Sequence, residues 1–171
     1  MKPKKASETL AITTHVVLPN DTNTIGNLFG GQLLAWMDVV ASVSAHRHSK
    51  RVVVTASVNN VSFQKPIKEA SIITLESKVS RAFTSSMEIF VDVFVEDPLT
   101  GVREKCNEAI YTFVAVDQHG GPINVPEIIP ESAEEKTRYE GALRRKQLSL
   151  ILAGKLDPSE ATELKKLFLN S

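Results

Sequence analysis

Between Asn23 and His48 the chain gathers the residue types that carbonyl chemistry needs: an amide at Asn23, glycines at 26, 30 and 31, and a carboxylate at Asp38. Glycine lets backbone approach a ligand closely, and the first N–H groups of a helix are unsatisfied donors at the positive end of its dipole. Such donors could hold the oxygen of a polarised carbonyl while an acid two turns along activates water. Asp38 has no local ion pair, because Leu34, Ala35, Ala41 and Ser42 fill the places three and four residues away. An uncompensated buried carboxylate costs on the order of several kcal/mol. The acid is therefore paired with a distant Lys or Arg, set on a wet edge, or retained for chemistry, and the helix alone leaves all three open.

Other chemistries fit poorly. The run from Gly26 to Gly31 is not a phosphate loop, since Gln32-Leu33 stand where Lys-Ser/Thr must follow, and no Gly-x-Gly-x-x-Gly follows a strand. Gly-x-Ser-x-Gly is missing, which disfavours a nucleophile-elbow hydrolase. His46 and His48 diverge on a helix, no His-Glu-x-x-His occurs, and one cysteine makes no zinc cluster, so no metal and no cofactor are expected. Cys106 falls in a predicted strand and reads as a packed, inert thiol.

The elements that must hold these groups follow from pattern. A helix is expected from the glycines onward, because no proline comes until Pro66. From Leu33 to Ala45 its apolar and small residues cover nearly the whole circumference, which predicts burial on most sides. It is shorter than the roughly 20 apolar residues a bilayer needs. Strands are predicted over 8–17, 51–63, 70–81, 86–96 and 103–116, with a hairpin loop at Asp97-Pro98-Leu99-Thr100-Gly101. The second strand alternates imperfectly, which suits one covered by the helix on one side and by a ligand or second subunit on the other. In the fourth, Phe90 and Phe94 fall on the outer face among acids and hint at subunit contact. Five strands, with the helix between the first and second, give an α+β fold: an antiparallel sheet wrapped around the helix. Pro122, Pro126 and Pro130 punctuate a connector to a helical extension, opened by a Ser132–Glu135 capping box and reopened at Asp157-Pro158. The expected domains are 1–130 and 131–171.

At 171 residues the chain suits one domain plus an extension. Formal net charge is zero and no dense Lys/Arg stripe occurs, so neither nucleic acid nor membrane is an expected partner. A single cysteine and an N-terminus without an apolar signal core point to the cytoplasm.

Asp21-Thr22-Asn23, Gly26-Asn27-Leu28-Phe29-Gly30-Gly31 and Leu34-Ala35-Trp36-Met37-Asp38 resemble the signature of the hotdog-fold acyl-CoA thioesterases, in the cytosolic acyl-CoA hydrolase group. The likeness continues through Val54-Thr55-Ala56-Ser57, Thr84-Ser85-Ser86-Met87-Glu88, Val125-Pro126 and Pro130-Glu131, almost the whole first domain. It implies a five-stranded sheet around a central helix, paired domains that share sites, and assembly as a homodimer and a trimer of dimers. It implies hydrolysis of acyl-CoA to free acid and CoA, which is substrate and not cofactor. Asp38 would be the catalytic acid, as general base or through a transient anhydride, Asn23 the catalytic amide, and Gly31 the oxyanion donor. Gly30, Thr55, Arg81, Ser85 and Ser86 would bind substrate. Relatives often read Arg-His-Cys near the helix end, where this chain has Arg47-His48-Ser49. Two alternatives stand beside this reading. A hotdog hydratase shares Asp-x-Asn but needs a histidine where Gly26 stands, and a non-catalytic acyl-CoA-binding module would drop the acid that Asp38 keeps.

Overall fold

A computed structural model describes residues 1–97 and 99–169. Pro98 of the expected hairpin loop, and positions 170 and 171 of the expected extension, lie outside them. The chain forms two compact units, 1–129 and 130–171.

The first unit begins with β1 (Lys4–Lys5), a short 3-10 turn over Ala6–Thr9, and β2 (Ala11–Val16). The first strand therefore starts later than its sequence suggests. Thr9 is buried, with its hydroxyl donating to the Ala6 carbonyl and accepting from the Val79 amide, and this tertiary use bends residues that propensity assigns to a strand. Helix α1 (Gly30–Ser49) follows, then β3 (Val52–Phe63), β4 (Ile72–Ala82), β5 (Ser86–Glu96), β6 (Arg103–Val116) and β7 (Ile128–Ile129). The five long strands make one antiparallel sheet in the order β2-β4-β5-β6-β3, and β1 pairs in parallel with β7.

Helix α1 packs across all five strands, so the sheet curls around it. Leu33, Met37, Val40, Ala41 and Ala45 face the core and are buried. The expectation of burial on most sides is corrected here: Ala35, Val39 and Val43, one stripe at four-residue spacing, remain exposed. The sheet of one chain has only one concave face and covers only one side of the helix. β3 is likewise a sheet edge, paired to β6 alone, with Val52, Val54 and Val58 exposed.

The helix ends at Lys50, whose backbone is left-handed (φ 56°). Its last carbonyls are met by the Lys4 ammonium, which donates to the oxygens of Arg47 (3.1 Å) and His48 (2.5 Å). His48 is fully buried and its Nε2 bonds the Pro126 carbonyl at 2.7 Å. Cys106 is buried with Sγ 3.4 Å from the Val93 carbonyl. Phe90 also departs from expectation, because it and Glu88 are buried within the chain. β5 is the central strand, so Lys78 and Ile110 flank Phe90 in register from both sides.

The second unit holds α2 (Ala133–Leu152) and α3 (Thr162–Leu169). The Ser132 hydroxyl accepts from the Glu135 amide at 3.1 Å while Glu135 Oε2 accepts from the Ser132 amide at 3.1 Å, the reciprocal box expected from sequence. Asp157 caps only a 3-10 turn, Pro158–Glu160, and α3 restarts after Ala161. No helix among the described residues is long and apolar enough to cross a membrane.

Candidate functional site

Asp38 sits two turns into α1, where it is partly exposed. Its Oδ1 accepts a 2.8 Å hydrogen bond from the Thr55 hydroxyl of β3, and among the described residues no cation pairs with it. The acid is thus positioned by a neutral donor, which orients the carboxylate without neutralising it and leaves its second oxygen for another partner. A bulge falls beside Thr55: register passes from Thr55↔Phe113 to Ser57↔Thr112, so Ala56 is extra. Bulges re-aim neighbouring side chains, and this one lies beside the hydroxyl that meets Asp38.

Beneath Asp38 lies Tyr111 of β6, whose hydroxyl donates to the Leu34 carbonyl at 3.0 Å. Burial pushes its phenol well above the usual range, and the charge of Asp38 pushes the same way. Sequence reasoning missed this residue. A tyrosine within an apolar strand gives no sign of where its hydroxyl ends.

Asn23 builds the second part. Its Oδ1 accepts from the amides of Ile25 (3.1 Å) and Asn27 (3.2 Å), a local turn closed by Gly26 at φ +72°. The oxygen is used by the turn, so the Nδ2 donor is the end free for chemistry. The chain then enters α1 through Phe29, an extended N-cap whose side chain cannot cap, and the amides of Gly30 and Gly31 have no partner among the described residues. A Cβ on Gly31 would stand 2.6 Å from the Phe29 ring, whereas one on Gly30 meets Phe63 at an ordinary 3.4 Å. Asn23 and Gly30 line one cavity of about 320 Å³ with Asn27, Phe63, Lys65 and Asn107.

Arg81, Ser85 and Ser86 form the third part, at the hairpin between β4 and β5. The Phe83 amide bonds the Ser86 carbonyl at 2.8 Å, and the Arg81 guanidinium lies 5.7 Å from the Phe83 ring centre. Thr55, Phe113, Met87 and Ala82 form one cross-strand row, so Arg81 is three strands away from Thr55, roughly 14 Å at about 4.8 Å per strand. A larger groove of about 670 Å³, lined by His46, Lys50, Arg51 and His119, contains none of the sequence-predicted site residues. No cluster of three or more His, Cys, Asp or Glu among the described residues is arranged to hold a metal.

The structure thus joins Asp38 to Thr55 and Asn23 to Gly30, and keeps the two pairs apart. At 1.5 Å per residue, Gly31 and Asp38 are about 10 Å apart along α1, and an oxygen held on the Gly31 amide lies farther out still. A base must come within about 3 Å of its proton. The sequence-based picture of one helix supplying both groups to one carbonyl is therefore corrected, for a single copy of the chain.

Residues 25–102 match the Thioesterase superfamily family model. The chain is 44% identical over 138 residues to an uncharacterized acyl-CoA thioester hydrolase of Bacillus subtilis, covering 81% of this chain and 80% of that one. The mammalian relatives are longer: the chain spans 23% to 42% of their length, among them the rat cytosolic acyl coenzyme A thioester hydrolase. A solved apo-hexameric acyl-CoA thioesterase superimposes with a TM-score of 0.86 at 37% identity, covering 90% of this chain and 98% of that one. The acyl-CoA hydrolase of Staphylococcus aureus, solved with butyryl coenzyme A, coenzyme A and coenzyme A disulfide, gives 0.85 at 33% identity over 99% and 100%. That enzyme has also been solved with an asparagine, an aspartate or a threonine replaced by alanine, at positions fifteen and then seventeen residues apart.

Proposed function

We infer the chemistry of this site from one premise: the chain belongs to the Thioesterase superfamily, among its acyl-CoA thioester hydrolases, and it hydrolyses acyl-CoA to a carboxylic acid and CoA. Its sheet wrapped around α1 is the hotdog fold. Asp38 is the general base. It takes a proton from water, the water oxygen attacks the thioester carbon, and the carbonyl oxygen becomes an oxyanion on the Gly31 amide. Such a donor is typically worth about 2.7 to 4 kcal/mol. Collapse breaks the C–S bond, and the departing CoA sulfur takes the proton back from Asp38. Thr55 holds the base, Asn23 orients water or the thioester through Nδ2, and Gly30, Arg81, Ser85 and Ser86 bind the substrate. Support comes from spacing: Asn23, Asp38 and Thr55 are fifteen and then seventeen residues apart, as are the three replaced residues of the S. aureus hydrolase. No cofactor enters, so thiol release should survive EDTA, and loss restored by zinc or magnesium would overturn the scheme.

The observation that carries this reading is the separation of Asp38–Thr55 from Asn23–Gly31 along one helix. Two copies related by a twofold axis resolve it. If two α1 helices pair antiparallel about the Leu34–Ala35 peptide, Gly31 of each lies opposite Asp38 of the other and Val39 opposite Gly30, with the open stripe at the seam. The chain is accordingly a homo-oligomer, built from dimers that share sites and, as the hexameric neighbour supports, from three such dimers. The cytosolic naming of mammalian relatives supports a cytoplasmic place of action.

Complementation tests the shared site. With Asn23→Ala and Asp38→Asn chains paired at random from equal amounts, half the dimers are mixed, and each mixed dimer has one site with both defects and one with neither. About a quarter of wild-type sites should return on co-expression. Activity no higher than that of the two parents would sink the shared-site arrangement.

A further inference from the structure

We propose that Tyr111 is a positioning residue for the hydrolysis, setting the height of Asp38 on α1 through its hydrogen bond to the Leu34 carbonyl; this rests on the role given to Asp38 above. Tyr111 is only 1% exposed, and its hydroxyl reaches α1 at one atom, the Leu34 oxygen. In an α-helix the carbonyl of residue 34 also accepts the amide of residue 38. The tyrosine therefore grips the same turn whose other end is the backbone of Asp38.

The carbonyl does not need this second donor, since the helix already satisfies it. Packing does not need it either, because a phenylalanine would fill the same space. What the hydroxyl adds is a fixed distance between the helix and the sheet. Thr55 supplies the matching hold on the side chain. Both holds refer to one strand pair: Tyr111 pairs with Val58 across β3–β6, and Thr55 pairs with Phe113, whose ring centre is 6.3 Å from that of Tyr111. Backbone and carboxylate of Asp38 are thus set against a common base, and a slide of α1 along the sheet breaks both bonds.

Tyr111→Phe removes the hydroxyl alone. The expected result is a kcat lower by about three- to tenfold, the usual weight of one hydrogen bond, with KM within about twofold. In an Asp38→Asn background the same change should cost nothing further, because the group it positions no longer acts. Amide exchange at Asp38 should quicken relative to Val43 in the same helix. An equal fall of kcat in both backgrounds, or an unchanged kcat in the folded variant, would overturn this proposal alone. A fully active Asp38→Asn enzyme would overturn the role of Asp38 and this proposal with it. If Tyr111→Phe does not fold, replacing Ala35 by its α-hydroxy analogue turns the Leu34 carbonyl into a weakly accepting ester with every side chain kept. That protein, read in the same two backgrounds, should show the same loss, and no difference between them would overturn the proposal.

Discussion

On the face of α1 turned to the sheet the side chains are sealed, and all their polar atoms except His48 Nδ1 are met from within the chain: Ser44 meets Ser77 at 2.6 Å, and His48 Nε2 meets the Pro126 carbonyl at 2.7 Å. On the opposite face Ala35, Val39 and Val43 are uncovered and Asp38 holds a single hydroxyl. The first face is completed by folding. The second also carries apolar residues but is left uncovered by its own chain, so hydrophobicity measures how much of a helix must be hidden and not what hides it.

The largest contrast between the faces should come from Asp38→Asn, near-isosteric and at a partly exposed position. Folding and acyl-CoA binding should be kept while turnover falls by roughly 10²- to 10⁴-fold. Unchanged thiol release from the purified variant would remove the acid from the mechanism and leave the open face without chemistry.

Met37→Ala and Val39→Glu, two residues apart, sharpen the comparison further. The first empties a fully buried site and should cost about 2 to 5 kcal/mol, read in denaturant titrations. The second lies at a position 63% exposed in one chain, so the protomer should still fold while native mass and activity both fall. Full assembly and activity in Val39→Glu would show that the stripe is not the seam.

The smallest effect belongs to His48 on the sealed face. Burial lowers its pKa below the ordinary value of 6.5, against a weaker opposing pull from its bond to Pro126. Nδ1 has no partner among the described residues, so a proton there would be buried unmet. Between the lowered folded value and 6.5 the unfolded chain binds more protons than the native one, and stability is lost as pH falls through that window. His15 shifts in the same direction from a more open place. The steepest slope one such group can give is about 1.4 kcal/mol per pH unit. His48→Gln, which keeps an N–H for Pro126, should flatten the fall of melting temperature between pH 7 and 5, and an unchanged slope would assign it elsewhere.

Much of the sealed architecture was legible in the sequence. β5 carries the bounds that alternation supplies and β6 those of the strand expected to return from the hairpin loop, and Asp38 stood out because nothing three or four residues away could pair with it. What was hidden depended on neighbours distant in the chain. Thr55 is 17 residues from Asp38, and only the family likeness marked it. Alternation put Phe90 on an outer face but could not reveal that β5 is the central strand. The long apolar circumference of α1 likewise concealed that the chain's own sheet leaves one stripe uncovered.

The sealed thiol of Cys106 bears on a reaction whose product is itself a thiol. Coenzyme A disulfide or an oxidised CoA pool attacks proteins by exchange, which requires an accessible thiolate. Here the only cysteine is 3% exposed, and burial raises its pKa, so it stays protonated and out of reach. The enzyme can therefore work beside coenzyme A disulfide without being capped by exchange with it. In a colorimetric thiol assay the native protein should add no signal of its own, so each equivalent counted is one turnover.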